Sequence, residues 1–321
     1  MSTIGKIYDS VVLSSPRIEV MMRKFYWHNV KYLRKLNPFK GTHEADMDKQ
    51  KKVKVDFEDV VKFLKENGVK KGTLLIIHSS YDVLACTGQK PDEIINRLLD
   101  LIGPEGTLAA PILREYKEMP SFEDQLKMDE VDVVCKFDMR RTPIKSGLIP
   151  FSISRRKDAV ISPHPLNALG AIGPLAREMM EHNLDGIYPK PSGPNSCWKF
   201  CLDHHAIVVG LGVDLEHYNS MLHVAEEAFG NWPWPDEEWF RIRKFDVVKQ
   251  DKTTERIEVY ERKPKWGLLH LAERNLVHDL DKAGIYHRTK IGGVIPVCVE
   301  DAQEAIAFLQ SHNKNGYPYF E

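Results

Sequence analysis

A histidine and a glutamate three residues apart, His223 and Glu226, stand in the segment Asn219 to Glu227, NSMLHVAEE. On a helix that spacing puts both on one face, with Ser220 one turn before the histidine. A carboxylate beside an imidazole fixes its tautomer and raises its basicity, so the pair suits a proton acceptor working near neutral pH. Taken alone, such a pair is more often a solvated surface contact. A near-copy downstream, Leu269-His270-Leu271-Ala272-Glu273, repeats the Leu-His-x-Ala-Glu pattern of Leu222 to Glu226. The run AIVVGLGV just upstream, with Gly210 and Gly212, favours His223, because helix starts beyond strand ends are where α/β folds gather their sites. His270 instead follows the basic stretch Arg262 to Trp266.

Two further segments carry groups able to hold a ligand. His78-Ser79-Ser80 ends a short apolar run, where hydroxyls and free backbone N–H groups suit a phosphate or a developing oxyanion. Arg141-Thr142-Pro143 with Lys145, Ser146 and Gly147 is a basic, hydroxyl-rich turn; an ordinary turn fits it equally well. Cys197, Cys201, His204 and His205 are close in sequence, yet their spacing matches no common zinc pattern, and two buried small hydrophobes beside ordinary histidines is the simpler reading. No metal is expected.

The elements that must position these residues are legible from periodicity. Asp56 to Asn67 has helical apolar spacing through Val60, Val61 and Leu64, with Gly68 as its stop. Thr73 to Ile77 reads as a doubly covered strand, Pro91 opens a helix, Gly103-Pro104-Glu105-Gly106 closes it, and Thr107 to Ala110 resumes as strand. This βαβ-like succession predicts an α/β fold, a central mixed β-sheet flanked by helices. Ala206 to Gly210 reads as a second buried strand followed by a helix from Ser220 to Phe229. Phe240 to Val248 and Ile257 to Lys263 predict a hairpin around Gln250 to Glu255, and Glu300 to His312 a closing amphipathic helix.

The organisation expected is a basic amphipathic extension and linker over residues 1–52, then one domain over 53–321 with a variable insert at 231–285. In the extension, Met22, Tyr26, Val30 and Leu33 recur at helical spacing beside Arg23, Lys24, Lys31, Arg34, Lys35 and Lys40. Such a helix suits weak contact with an anionic membrane surface, or packing on its own domain or a second subunit. The 45 Lys and Arg against 46 Asp and Glu give a net charge of −1, so nothing points to a nucleic-acid partner. The odd count of 5 cysteines argues against a disulfide framework, and without a membrane span or signal peptide a cytoplasmic location is expected.

The pieces occur in a definite order: His78-Ser79-Ser80, Gly103 to Thr107, Thr142-Pro143, His164-Pro165, Gly193 to Ser196, and Asn219 to Glu226. In that order the chain resembles the aminoglycoside 3-N-acetyltransferase family over about residues 55–230, and more faintly over 285–305 through Ile291-Gly292-Gly293 and Glu300-Asp301-Ala302. The resemblance implies an N-acyltransferase that takes the acyl group from coenzyme A, as acetyl-CoA, and delivers it to a primary amine of an amino sugar. The acceptor is then either an aminoglycoside or a sugar of polysaccharide biosynthesis, nucleotide-linked or glycan. It also implies His223 as general base with Glu226 and Asn219 supporting the imidazole. Donors at His78, Ser79 and Ser80 would serve the oxyanion, and the turn carrying Arg141, Thr142, Ser146 and Gly147 the coenzyme. Rings and carboxylates of the insert, Trp232, Trp234 and Trp239 with Asp236, Glu237 and Glu238, suit stacking on sugars and attraction of ammonium groups. Three positions depart from the family pattern, Ile144, Cys197 and Met221, and they support the alternative of a coenzyme A-binding or non-catalytic protein of the same fold. A homo-oligomer is compatible with all of this.

Overall fold

The structure is a computed structural model that describes residues 3–33, 53–248, 251–312 and 319–320. The linker read at 41–52, with Arg34, Lys35 and Lys40, lies outside the described residues.

Ten strands form two sheets: β1 (Leu74–Ser79), β2 (Thr107–Ile112), β3 (Val134–Phe137), β4 (Ala159–Ile161), β5 (Ala168–Ile172), β6 (Ile207–Leu211), β7 (Phe240–Val248), β8 (Thr254–Arg262), β9 (Tyr286–Ile291) and β10 (Ile295–Asp301). Seven make a mixed sheet in the order β4-β5-β2-β1-β6-β10-β9. Strand β1 runs parallel to both β2 and β6, and the outer pairings are antiparallel. Side chains alternate across β1: Leu74 and Ile76 face one core with Trp198 and Val208, while Leu75 and Ile77 face another with Ile95, Leu98 and Val209. Burial on both faces is why this strand reads as an unbroken apolar run. Because β2 and β6 lie on opposite sides of β1, the carboxyl end of β1 is a topological switch point, the place where α/β sheets gather their sites.

Two glycines allow the close packing at that strand end. At Gly210, paired with His78, an added Cβ would lie 2.5 Å from Cys298 Sγ and 2.5 Å from Val213 O. Gly212 has φ +73° and turns against Ser80 O, 2.8 Å from where a Cβ would stand.

The second sheet, β3-β7-β8, joins the β7–β8 hairpin to the distant strand β3 around a small core of Cys135, Phe137, Phe245 and Val259. The hairpin is in register from Phe240 opposite Arg262 to Val248 opposite Thr254, so β8 starts and ends earlier than the sequence suggests. Two other expectations shift. Ser220 to Phe229 is not one helix: a 3-10 turn at Ser220–Leu222, held by Asn219 Oδ1 accepting from Met221 N at 3.2 Å, precedes a short helix at His223–Glu227. Glu300 belongs to β10, and the closing helix is Ala302–His312.

The amino-terminal helices pack on the domain itself. The helix at Pro16–His28 stops at Asn29, so Met22, Tyr26, Val30 and Leu33 do not share one continuous stripe. Its buried carboxylate Glu19 accepts from Arg274 N (3.0 Å), Asn275 N (3.0 Å) and Asn275 Nδ2 (2.7 Å). Those amides open the helix Glu273–Lys282, whose preceding residue, Ala272, has no capping side chain; Glu19 caps it from 255 residues away in sequence. Arg23, counted in the basic face, points inward to Leu268 O, Gly267 O and Glu273. No helix among the described residues is long and apolar enough to cross a membrane.

Candidate active site

His223 opens its short helix directly beyond the 3-10 turn and keeps 23% of its side chain exposed, while Glu226 is buried beneath it. The ring's Nδ1 lies 3.3 Å from Glu226 Oε1. Its Nε2 lies 2.9 Å from Arg262 Nη2, and Arg262 Nη1 donates to Glu226 Oε1 at 3.0 Å. A guanidinium only donates, so Nε2 is the accepting nitrogen and Nδ1 carries the proton shared with Glu226. The imidazole is thus neutral, with its lone pair on Nε2. Burial pushes its pKa below the ordinary 6.5 and the Arg262 charge adds to this, with Glu226 opposing. Burial alone would raise the Glu226 carboxyl, but Arg262 and His223 outweigh it and hold Glu226 below the usual range, ionised.

The other expected residues divide. His78 is buried at the end of β1, stacked on Trp198 at 6.3 Å, and its pKa falls to about 3, chiefly through burial. Its Nε2 and Ser79 Oγ are buried without a hydrogen-bond partner. Ser80 precedes the short helix Tyr81–Leu84 without a side-chain cap, and its N–H donates to Leu211 O. Thr142 and Ser146 use their hydroxyls inside the turn, accepting from Asp138 N (2.8 Å) and Leu113 N (3.2 Å). Gly147, at φ +104°, leads into the helix Leu148–Arg155 and faces Ser79 O. Arg141 is 86% exposed. Unpartnered polar atoms at the strand end and an exposed guanidinium at the turn fit a ligand that brings its own amides and phosphates, as coenzyme A does.

Asn219 does not touch His223. Its Nδ2 donates to Glu300 Oε1 at 2.7 Å, and its Oδ1 holds the 3-10 turn, so it supports the segment rather than the ring. His270 has no carboxylate: its neighbour Glu273 pairs with Arg23, and burial, then Lys24 and Lys265, lower its pKa to about 4. The tryptophans of the insert form no open stacking surface. Trp239 is buried between Trp234 (5.1 Å) and Trp266 (4.4 Å), with Trp232 edge-on at 5.2 Å. Asp236 pairs with Lys190. Cys197 and Cys201 point into the core, and His204 lies flat on Phe200. Among the described residues no three His, Cys, Asp or Glu side chains gather as metal ligands.

Sequence reasoning missed Arg262, Glu300 and Glu227. Arg262 stood in the basic stretch used to set His270 aside, and Glu300 in the closing segment, without a signal that either reaches the site. Glu227 is buried, accepts from Ser192 N at 2.7 Å, and has its pKa raised to about 8 by burial and then by Glu226.

A partly exposed histidine backed by a buried glutamate, on an open mixed α/β sheet with a strand reversal within it, is an arrangement able to exchange a proton with a ligand. The family model of aminoglycoside 3-N-acetyltransferases matches residues 76–312, and the chain belongs to that family. It is 28% identical over 171 residues to aminoglycoside N(3)-acetyltransferase IX of Micromonospora chalcea; the match covers 51% of this chain and spans only 58% of that relative's length. Aminoglycoside acetyltransferase AAC(3)-Xa superposes with a TM-score of 0.67 at 20% identity, over 85% of this chain and 99% of that one. A structure described as AAC-IIIb binary with CoASH superposes at 0.61 and 19% identity, over 80% and 95%. At such identities these two establish the shared fold.

Proposed function

We propose that the chain transfers an acetyl group from coenzyme A to a primary amine of an amino sugar, with His223 as general base. The observation that carries this reading is the neutral imidazole whose Nδ1–H faces a buried, ionised Glu226 and whose Nε2 keeps its lone pair. An amino-sugar amine is largely protonated near neutral pH and attacks only after losing a proton; a positioned base contributes about 10²- to 10⁴-fold. His223 Nε2 receives that proton, and Glu226 steadies the resulting imidazolium. Acetyl-CoA supplies the thioester, whose carbonyl oxygen is offered the unpartnered groups of His78 and Ser79. Arg141 and Gly147 border the place for the coenzyme, while Thr142 and Ser146 hold the turn that presents them.

The relatives' names speak for amino-sugar acceptors, and both an aminoglycoside and a sugar of polysaccharide biosynthesis satisfy the base chemistry. Free-thiol release from acetyl-CoA in the presence of a panel of amino sugars tests the reading. Release that depends on His223, with coenzyme A binding by calorimetry intact in His223→Ala, is the expected result; release unaffected by that substitution refutes it.

A further inference from the structure

The nitrogen that must take the amine proton is already occupied. Arg262 Nη2 sits 2.9 Å from His223 Nε2, and a guanidinium does not release a proton at any physiological pH, so the base is capped as long as this contact lasts. Arg262 ends β8 with 18% of its side chain exposed, and two of its five N–H donors go to Glu226 and His223 among the described residues. Of the carboxylates nearest the base, Glu226 pairs with Arg262 itself and Glu273 with Arg23, while Glu227 accepts the Ser192 amide from a buried position beside Glu226. A polycationic acceptor would therefore bring several ammonium groups toward a fixed cation that lies on the base itself. An acceptor with an acidic group next to its amine would meet the opposite situation.

From this we infer that Arg262 selects the acceptor: it pairs with a phosphate or carboxylate adjacent to the reacting amine, and in doing so leaves His223 Nε2 for the amine proton. The inference rests on His223 being the base. Arg–phosphate pairing is bidentate and charge-assisted, stronger than the neutral contact it replaces at Nε2. The same movement that docks the acceptor uncaps the base, so acceptors without the acidic group gain neither.

Matched probes test it with thiol release from acetyl-CoA: glucosamine, glucosamine 1-phosphate, whose phosphate neighbours the C2 amine, and gentamicin as the polycation. In the unaltered protein kcat/KM for glucosamine 1-phosphate should exceed that for glucosamine by about 10-fold or more. Arg262→Gln should bring the ratio to about one and Arg262→Lys, which keeps the charge without the fork, to an intermediate value. A ratio near one in the unaltered protein, a ratio that survives Arg262→Gln, or gentamicin as the best of the three overturns the inference and leaves the base intact. Full rates in His223→Ala overturn the base reading instead, and no release with any of the three overturns both.

Discussion

A histidine works as a base only while its ring is neutral, and three groups set that state here. Burial and Arg262 push the His223 pKa down and Glu226 pulls it up, with the net shift downward from 6.5. Activity is lost as the ring protonates, so the acid limb of the kcat/KM profile should fall below 6.5. Arg262→Gln removes a cation and should move that limb upward; a limb that stays put or moves down contradicts the geometry. Glu226→Gln should lower kcat about 10²-fold or more, because the imidazolium loses its counter-charge, with coenzyme A affinity by calorimetry nearly unchanged. The His–Glu pair was legible in the sequence because both residues share one short helix. Arg262 was not: it reaches the ring from the end of β8, and no local spacing encodes a contact between residues 39 apart.

Among the elements, the contact between β10 and the 3-10 turn matters most for the site. Glu300 Oε1 accepts from Asn219 Nδ2, and Asn219 in turn holds the turn that starts the His223 helix. Burial raises the Glu300 pKa from 4.5 to about 7. The folded state thus binds the extra proton, so this contribution to stability is full below 4.5 and fades as pH rises through 7. Glu300→Gln cannot ionise and keeps an accepting oxygen. Chemical denaturation should find it more stable than the unaltered protein at pH 8, by roughly 2–3 kcal/mol, with the gap closing at pH 5. An unchanged gap at the two pH values contradicts the assignment. Gly210→Ala should cost about 1–3 kcal/mol or more, read as a lowered Tm, because its methyl would meet Val213 O and Cys298 Sγ at 2.5 Å. The buried strands were legible as apolar runs: β1, β2 and β7 stand close to where periodicity put them, while β8 starts and ends earlier. Glu300 was misplaced because a charged residue before Ala302 reads as a helix start, whereas its side chain is in fact buried between sheet and turn.

For the whole molecule, the amino-terminal helices and the site share one structural path. Glu19 caps the Glu273–Lys282 helix, Arg23 binds Gly267 O, and Gly267 packs against the Arg262 guanidinium. Glu19→Ala takes the acceptor from the Arg274 amide and the buried Asn275 amide and one of two acceptors from the Asn275 side chain, and should cost about 2–4 kcal/mol in urea unfolding. Full stability would mean the extension is not clamped this way. Amphipathic spacing showed a helix in this region, but not its partner, because a cap supplied from 255 residues away leaves no local trace. The whole account turns on His223, and the most direct measurement is free-thiol release from acetyl-CoA by His223→Ala set beside His270→Ala, with coenzyme A binding followed for both. The account predicts that the first loses release while binding the coenzyme and the second stays close to the unaltered rate; full release in His223→Ala, or loss in His270→Ala alone, would contradict it.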